Sequence, residues 1–118
     1  MTNRIQELTV DKTWRNEQDA WNNRSNYFVE MHNRDDRKAQ VTEFLSFLKN
    51  ENLLPPKDGC TLDIGCGVCD YALGLARDGY KATGIDLSDG MIRGAKQLAE
   101  SEGLAVSYTH LTLPTNRE

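Results

Sequence analysis

With 118 residues and a net charge of −4 at pH 7, the chain offers one domain's worth of sequence and a modest core. Its pI near 5.2 leaves no basic footprint for nucleic acid. No apolar run approaches the roughly 18 residues that a bilayer span requires, and the start MTNRIQELTVDKTW lacks the apolar stretch of a secretory signal, so a cytoplasmic chain without a membrane partner is expected.

The first third is polar and helical. Trp14, Trp21 and Phe28 fall on one face of a helix expected from about Lys12 to His32. The stripe packs onto the rest of the fold, or it also lids a ligand site, since tryptophan and tyrosine carry polar tips. A second helix fits Asp35 to Asn50, with Val41, Phe44, Leu45 and Leu48 on its buried side. The run Arg34-Asp35-Asp36-Arg37-Lys38 reads as a solvated helix start.

Pro55-Pro56 marks a boundary, after which the period changes. Cys60 to Ile64 is a short β-rich run. Val68 to Arg77 carries Tyr71, Ala72, Leu75 and Ala76 at helical spacing, and Gly79 suits the residue that ends a helix. Tyr80 to Asp86 reads as a second strand. Ser88 is a candidate cap for a helix carrying Met91, Ile92, Ala95, Leu98 and Ala99, closed by Gly103. Leu104 to Tyr108 completes a third strand. Strand, helix, strand, helix, strand predicts an α/β, Rossmann-like, doubly wound parallel sheet preceded by N-terminal helices. The expected division is a helical segment over 1–55, a partial α/β core over 56–108 and a tail over 109–118.

The stretch LDIGCGVCD, Leu62 to Asp70, then lies at the carboxyl end of the first strand, where open α/β sheets bind ligands. Gly65 and Gly67 permit a tight turn and close approach of a ligand to bare backbone. A dinucleotide fingerprint needs a third glycine at position 70, which is Asp70. A carboxylate there, with Asp63 on the strand and no evident Lys or Arg nearby, repels phosphates. Asp86 ends the second strand and can accept both hydroxyls of a ribose. The combined demand is a nucleoside with a free ribose, no phosphate and a cationic tail near Asp63. S-adenosylmethionine meets it.

Leu62-Asp-Ile-Gly-Cys-Gly-Val-Cys69 resembles the first motif of class I S-adenosylmethionine-dependent methyltransferases, and Gly84-Ile-Asp-Leu-Ser-Asp-Gly-Met-Ile92 is similar to their second. The aromatic N-terminal helix with Trp21 and Tyr27 resembles the segment that precedes these motifs in small-molecule methyltransferases. The resemblance covers Trp14 to Leu104. It implies that Asp63 and Gly65 face the methionine end, Gly67 the sugar, Asp86 the ribose and Leu87 the adenine of S-adenosylmethionine, with Cys66, between the glycines, also among the cofactor-binding residues. It implies a small-molecule methyl acceptor and assigns no catalytic base.

Two departures stand out. Cys69 occupies the place of a further family glycine. The ending Thr109 to Glu118 fits no element of the family pattern and reads as a non-native tail, so the chain is expected to hold only the first three strands. The first strand, central in the family sheet, would then be an open edge able to self-associate.

Two other classes stay open. Cys66 and Cys69 form a CxxC at a helix start, which suits thiol redox chemistry or metal binding. A zinc site would need a fourth ligand beyond Cys60, Cys66 and Cys69, with His32 and His110 both distant in sequence, so no metal is expected. A non-catalytic S-adenosylmethionine-binding fragment is the third reading.

Overall fold

The computed structural model describes residues 2–111, with side chains from residue 15 onward. Helix α1 spans Thr2–His32. It starts well before the expected Lys12, because no glycine or proline interrupts the sequence from Thr2 to His32. The side chain of Trp14 lies outside the described residues. A tight turn at Asn33 and Arg34 leads into α2, Asp35–Asn50, where Asp35 and Asp36 meet the positive end of the helix dipole. Val41 and Leu45 are buried as expected, whereas Phe44 is exposed and sets its ring edge-on against Tyr71 at 5.1 Å.

Strand β1 is Cys60–Ile64, helix α3 Asp70–Arg77, strand β2 Lys81–Asp86, helix α4 Asp89–Glu102 and strand β3 Ser107–His110. Three boundaries differ from the sequence reading. Helix α3 begins two residues after Val68, since Cys69 is held in the left-handed region at φ 67° and cannot be helical. Strand β2 begins at Lys81. Strand β3 starts three residues later and ends two residues later than expected, because its limits follow its pairing with β2, Thr83 opposite Ser107 through Asp86 opposite His110. Thr109 and His110 therefore lie in the sheet, and the Leu111 amide donates to Asp86 O at 2.8 Å. Residues 112–118 of the expected tail lie outside the described residues.

The sheet is parallel with order β1-β2-β3, the incomplete Rossmann-like arrangement that the element pattern predicts. Both crossovers put their helices on one face. Leu73, Met91, Ala95, Leu98 and Ala99 are buried there against Val68 and Ala82 of the turn and β2. Ser88 accepts a bond from the Met91 amide, and Gly103 at φ 65° ends α4, so both predicted caps are present. Burying a side chain such as Leu73 contributes on the order of 2 kcal/mol. On the opposite sheet face Leu62 and Ile64 are 59% and 73% exposed. Among the described residues β1 pairs only with β2.

Helix α1 packs along α4, and α2 packs on α3. The two N-terminal helices thus sit beside the carboxyl ends of β1 and β2 and wall the space above them.

Candidate functional site

The ladder between β1 and β2 runs past Ile64: the amides of Gly65 and Cys66 both donate to Ile85 O, at 2.8 and 2.9 Å. The chain then reverses through Gly65 at φ 72°, Gly67 at φ 58° and Cys69 at φ 67°. Glycine adopts that conformation freely; at Cys69 it costs about 1 kcal/mol. The Cys69 amide closes the turn on Cys66 O at 2.8 Å.

Asp86 holds this turn against β2. Its Oδ2 accepts from the Gly67 amide and its Oδ1 from the Ser88 amide, each at 2.8 Å. Each oxygen keeps a further lone pair for a ligand. The next residue is fixed from α1, where Gln18 Nε2 donates to Leu87 O at 3.0 Å, with His110 Nε2 2.9 Å from the same oxygen. Asn22 accepts from the Ser88 hydroxyl and, at 2.8 Å, from the Gly90 amide. One side chain of α1 therefore caps the start of α4.

The three acids differ in environment. Burial pushes Asp63 above the usual carboxylate range, and the charges of Asp70 and Asp86 push it further. No described residue donates a hydrogen bond to it. Asp70 is also penalised by burial, but hydrogen bonds from His32 and Arg37 win and hold it low. Its Oδ2 accepts from Arg37 Nε and Nη2 at 3.1 and 2.8 Å, and its Oδ1 lies 2.6 Å from His32 Nδ1. This corrects the sequence reading of Asp70 as a carboxylate with no cation nearby. Repulsion of a phosphate here falls to Asp63 and Asp86.

All six expected positions, Asp63, Gly65, Cys66, Gly67, Asp86 and Leu87, line one cavity of about 740 Å³ at the carboxyl ends of β1 and β2. Trp21 and Phe28 of the aromatic stripe line it as well, as do Arg37, Tyr71 and Met91. The stripe therefore both packs and faces the cavity. Arg37 also stacks its guanidinium 5.6 Å from the Tyr71 ring centre. Sequence reasoning missed Arg37 because its charge run resembles an ordinary solvated helix start. A larger hollow of about 960 Å³ lies at the opposite strand ends, bordered by Gly79, Lys81, Gly103 and Ser107. It collects no converging acids, and parallel sheets bind ligands at the other end.

Cys66 and Cys69 bring their sulfurs to 2.7 Å, while Cys60 is exposed at the far end of β1. Among the described residues no three His, Cys, Asp or Glu side chains converge as metal ligands. No described helix is long and apolar enough to cross a membrane.

Residues 61–116 match the family model described as a methyltransferase domain. The chain is 40% identical over 63 residues to a ubiquinone biosynthesis O-methyltransferase of Paramagnetospirillum magneticum, covering 52% of this chain and 25% of that protein. It is 34% identical over 76 residues to a 23S rRNA (uracil-C5)-methyltransferase of Shewanella halifaxensis, covering 64% of this chain and 17% of the other. The crystal structure of magnesium protoporphyrin IX methyltransferase from Synechocystis with bound S-adenosylmethionine superposes with a TM-score of 0.51 at 28% identity, over 71% of this chain and 41% of that one. The chain thus spans a quarter or less of the length of these two curated relatives. The matched segment, which holds the glycine turn, the acid ending β2 and most of the parallel sheet, is similar to S-adenosylmethionine-dependent methyltransferases.

Proposed function

We propose that the cavity binds S-adenosylmethionine and that the chain serves methyl transfer to a small-molecule acceptor. The observation that carries this reading is the Asp86 carboxylate, which bridges the Gly67 and Ser88 amides at the mouth of the cavity. An acid fixed so firmly at a strand tip, with lone pairs to spare, suits the two hydroxyls of a ribose.

The remaining roles follow the direction of the cavity. Asp63, raised by burial and by its acidic neighbours, gains most from a ligand that brings positive charge, as the sulfonium and ammonium of S-adenosylmethionine do. Gly65 and Cys66 flank that methionine end, Gly67 the sugar and Leu87 the adenine. The bound cofactor would supply the methyl group. The chain's own residues bind, orient and shield it, which suffices where transfer depends on proximity and in-line alignment.

Trp21, Phe28 and Tyr71 give the cavity an aromatic wall, and with the acidic net charge this favours a compact organic acceptor over a polyanion. In this reading segment 1–55 forms the wall, the core over 56–108 holds the cofactor, and the protein works in the cytoplasm. The edge of β1 left unpaired among the described residues is open to a second chain.

Equilibrium dialysis with labelled S-adenosylmethionine, S-adenosylhomocysteine and NAD tests the reading. The two adenosyl-sulfur ligands should bind in preference to NAD, and Asp86→Ala should abolish the preference. Tighter binding of NAD overturns it.

A further inference from the structure

We propose that Cys66 and Cys69 form a reversible intrachain disulfide that loosens the glycine turn and so switches cofactor binding off. The second half of this proposal rests on the cofactor reading of the cavity; the first does not.

The two sulfurs are 2.7 Å apart, with the Cys69 thiol directed at Cys66. Three features hold them together. The Cys69 backbone is locked at φ 67° and ψ 39°. Its amide is tied to Cys66 O. Beneath them lies Gly84 of β2, where a Cβ would fall 2.5 Å from the Cys69 sulfur and 2.8 Å from that of Cys66. Only a glycine at this position of β2 leaves room for both sulfurs.

The pair is asymmetric in access. Cys66 is half-buried and lines the cavity, whereas Cys69 is fully buried. Peroxide in the cavity therefore reaches Cys66 first, with the buried Cys69 sulfur 2.7 Å behind it. These are the roles of an attacking and a resolving cysteine. Hydrogen peroxide entering the cavity meets Cys66. Its sulfur takes one peroxide oxygen as the O–O bond breaks, giving a sulfenic acid and one water. The Cys69 sulfur then attacks Cys66, the S–O bond breaks, and the oxygen leaves as a second water carrying the Cys69 proton. Two thiols are oxidised by two electrons, peroxide is reduced, and a small dithiol reverses the change.

The bond alters the site directly. Drawing the sulfurs in to about 2.05 Å shifts both arms of the turn. It also removes the Cys66 thiol that faces Gly67 O at 3.4 Å. Gly67 is the residue whose amide Asp86 holds. The distortion therefore reaches the ribose acid through one residue.

The test uses the 118-residue chain with peroxide and then dithiothreitol. Intact mass should fall by about 2 Da, the loss of two thiol hydrogens. After denaturation Cys60 should alkylate while Cys66 and Cys69 are protected, and dithiothreitol should restore both. Cys66→Ser and Cys69→Ser should each abolish the protected pair, with circular dichroism reporting their folding. Full alkylation of all three cysteines after peroxide, or a stable sulfinic acid at Cys66, overturns the disulfide. Hydrogen exchange at the Gly67 amide of the ligand-free chain should quicken on oxidation and recover on reduction; unchanged exchange overturns the loosening. S-adenosylhomocysteine affinity should fall about tenfold, the equivalent of one hydrogen bond to a charged group. Equal affinity of both redox forms overturns the switch. Failure of the reduced chain to bind instead counts against the cofactor reading, and the exchange result still decides the loosening.

Discussion

His32 Nδ1 stands 2.6 Å from Asp70 Oδ1 although the histidine is only 3% exposed. Its other ring nitrogen lies 3.0 Å from Glu102 Oε2. Both nitrogens face carboxylates, an arrangement that favours the doubly protonated ring. Arg37 holds the far oxygen of Asp70, and Arg77 pairs with Glu102. The five side chains join the ends of α1, α2, α3 and α4 behind the glycine turn.

This arrangement fixes how stability depends on pH. The hydrogen bond from Asp70 raises the folded pKa of His32 above 6.5 against the cost of burial, with Glu102 adding to it. The folded chain then binds more protons than the unfolded one between 6.5 and the raised value, so the contribution is complete below 6.5 and is lost as pH rises through the folded pKa. Asp70 and Glu102 are lowered, and their contribution is lost as pH falls through their folded values. Melting temperature should form a plateau on the acidic side of neutrality and decline on both sides. His32→Gln should remove the alkaline decline; a wild-type curve flat through the alkaline side would contradict the assignment.

His32→Ala should cost about 3 kcal/mol, the usual penalty for breaking a buried charged pair. Arg34→Ala, which removes an exposed pair with Asp36, should change stability negligibly. Urea denaturation of both variants gives the comparison. A small loss for His32→Ala would mean that Arg37 and Arg77 satisfy the two carboxylates unaided.

Asp86→Ala should lower both affinity and stability. A strand-tip acid read from sequence alone would leave the fold untouched, yet this one holds two backbone amides. Affinity for S-adenosylhomocysteine should drop at least about tenfold, since hydrogen bonds to a charged group contribute roughly 1.5–3 kcal/mol each. The melting temperature should fall as well. Calorimetry and thermal melts read the two effects apart, and an unchanged melt would show that the turn does not lean on Asp86.

Asn22→Ala should destabilise by about 1–2 kcal/mol, because Ser88 and the Gly90 amide lose their acceptor in a partly buried contact. Asn22→Asp keeps the acceptor and should recover most of the loss. If the two substitutions behave alike, the side chain does not seat α1 on α4.

Much of this was legible in the sequence where local chemistry decides the outcome. Helix α2, strand β1 and the caps of α4 at Ser88 and Gly103 lie where propensity and capping residues put them. The six cavity positions were legible because a glycine turn after one strand and an acid at the end of the next are local features. What escaped depends on partners far along the chain. Leu104 and Val106 look as β-like as their neighbours, but pairing with β2 starts the strand at Ser107. Arg37 and His32 look like solvent-facing polar residues until the fold brings Asp70 against both.

The seating of Asn22 on Ser88 and Gly90 also has a consequence for synthesis. The two sides of that contact are separated by 66 and 68 residues. Helix α1 leaves the ribosome before α4 is made, so its packed side, with Phe28 and Val29, lacks that partner until α4 follows. Contacts of such sequence separation slow folding. The earliest-made part of the binding wall is therefore among the last to settle, and the nascent chain carries an apolar helix face through that interval for chaperones to meet.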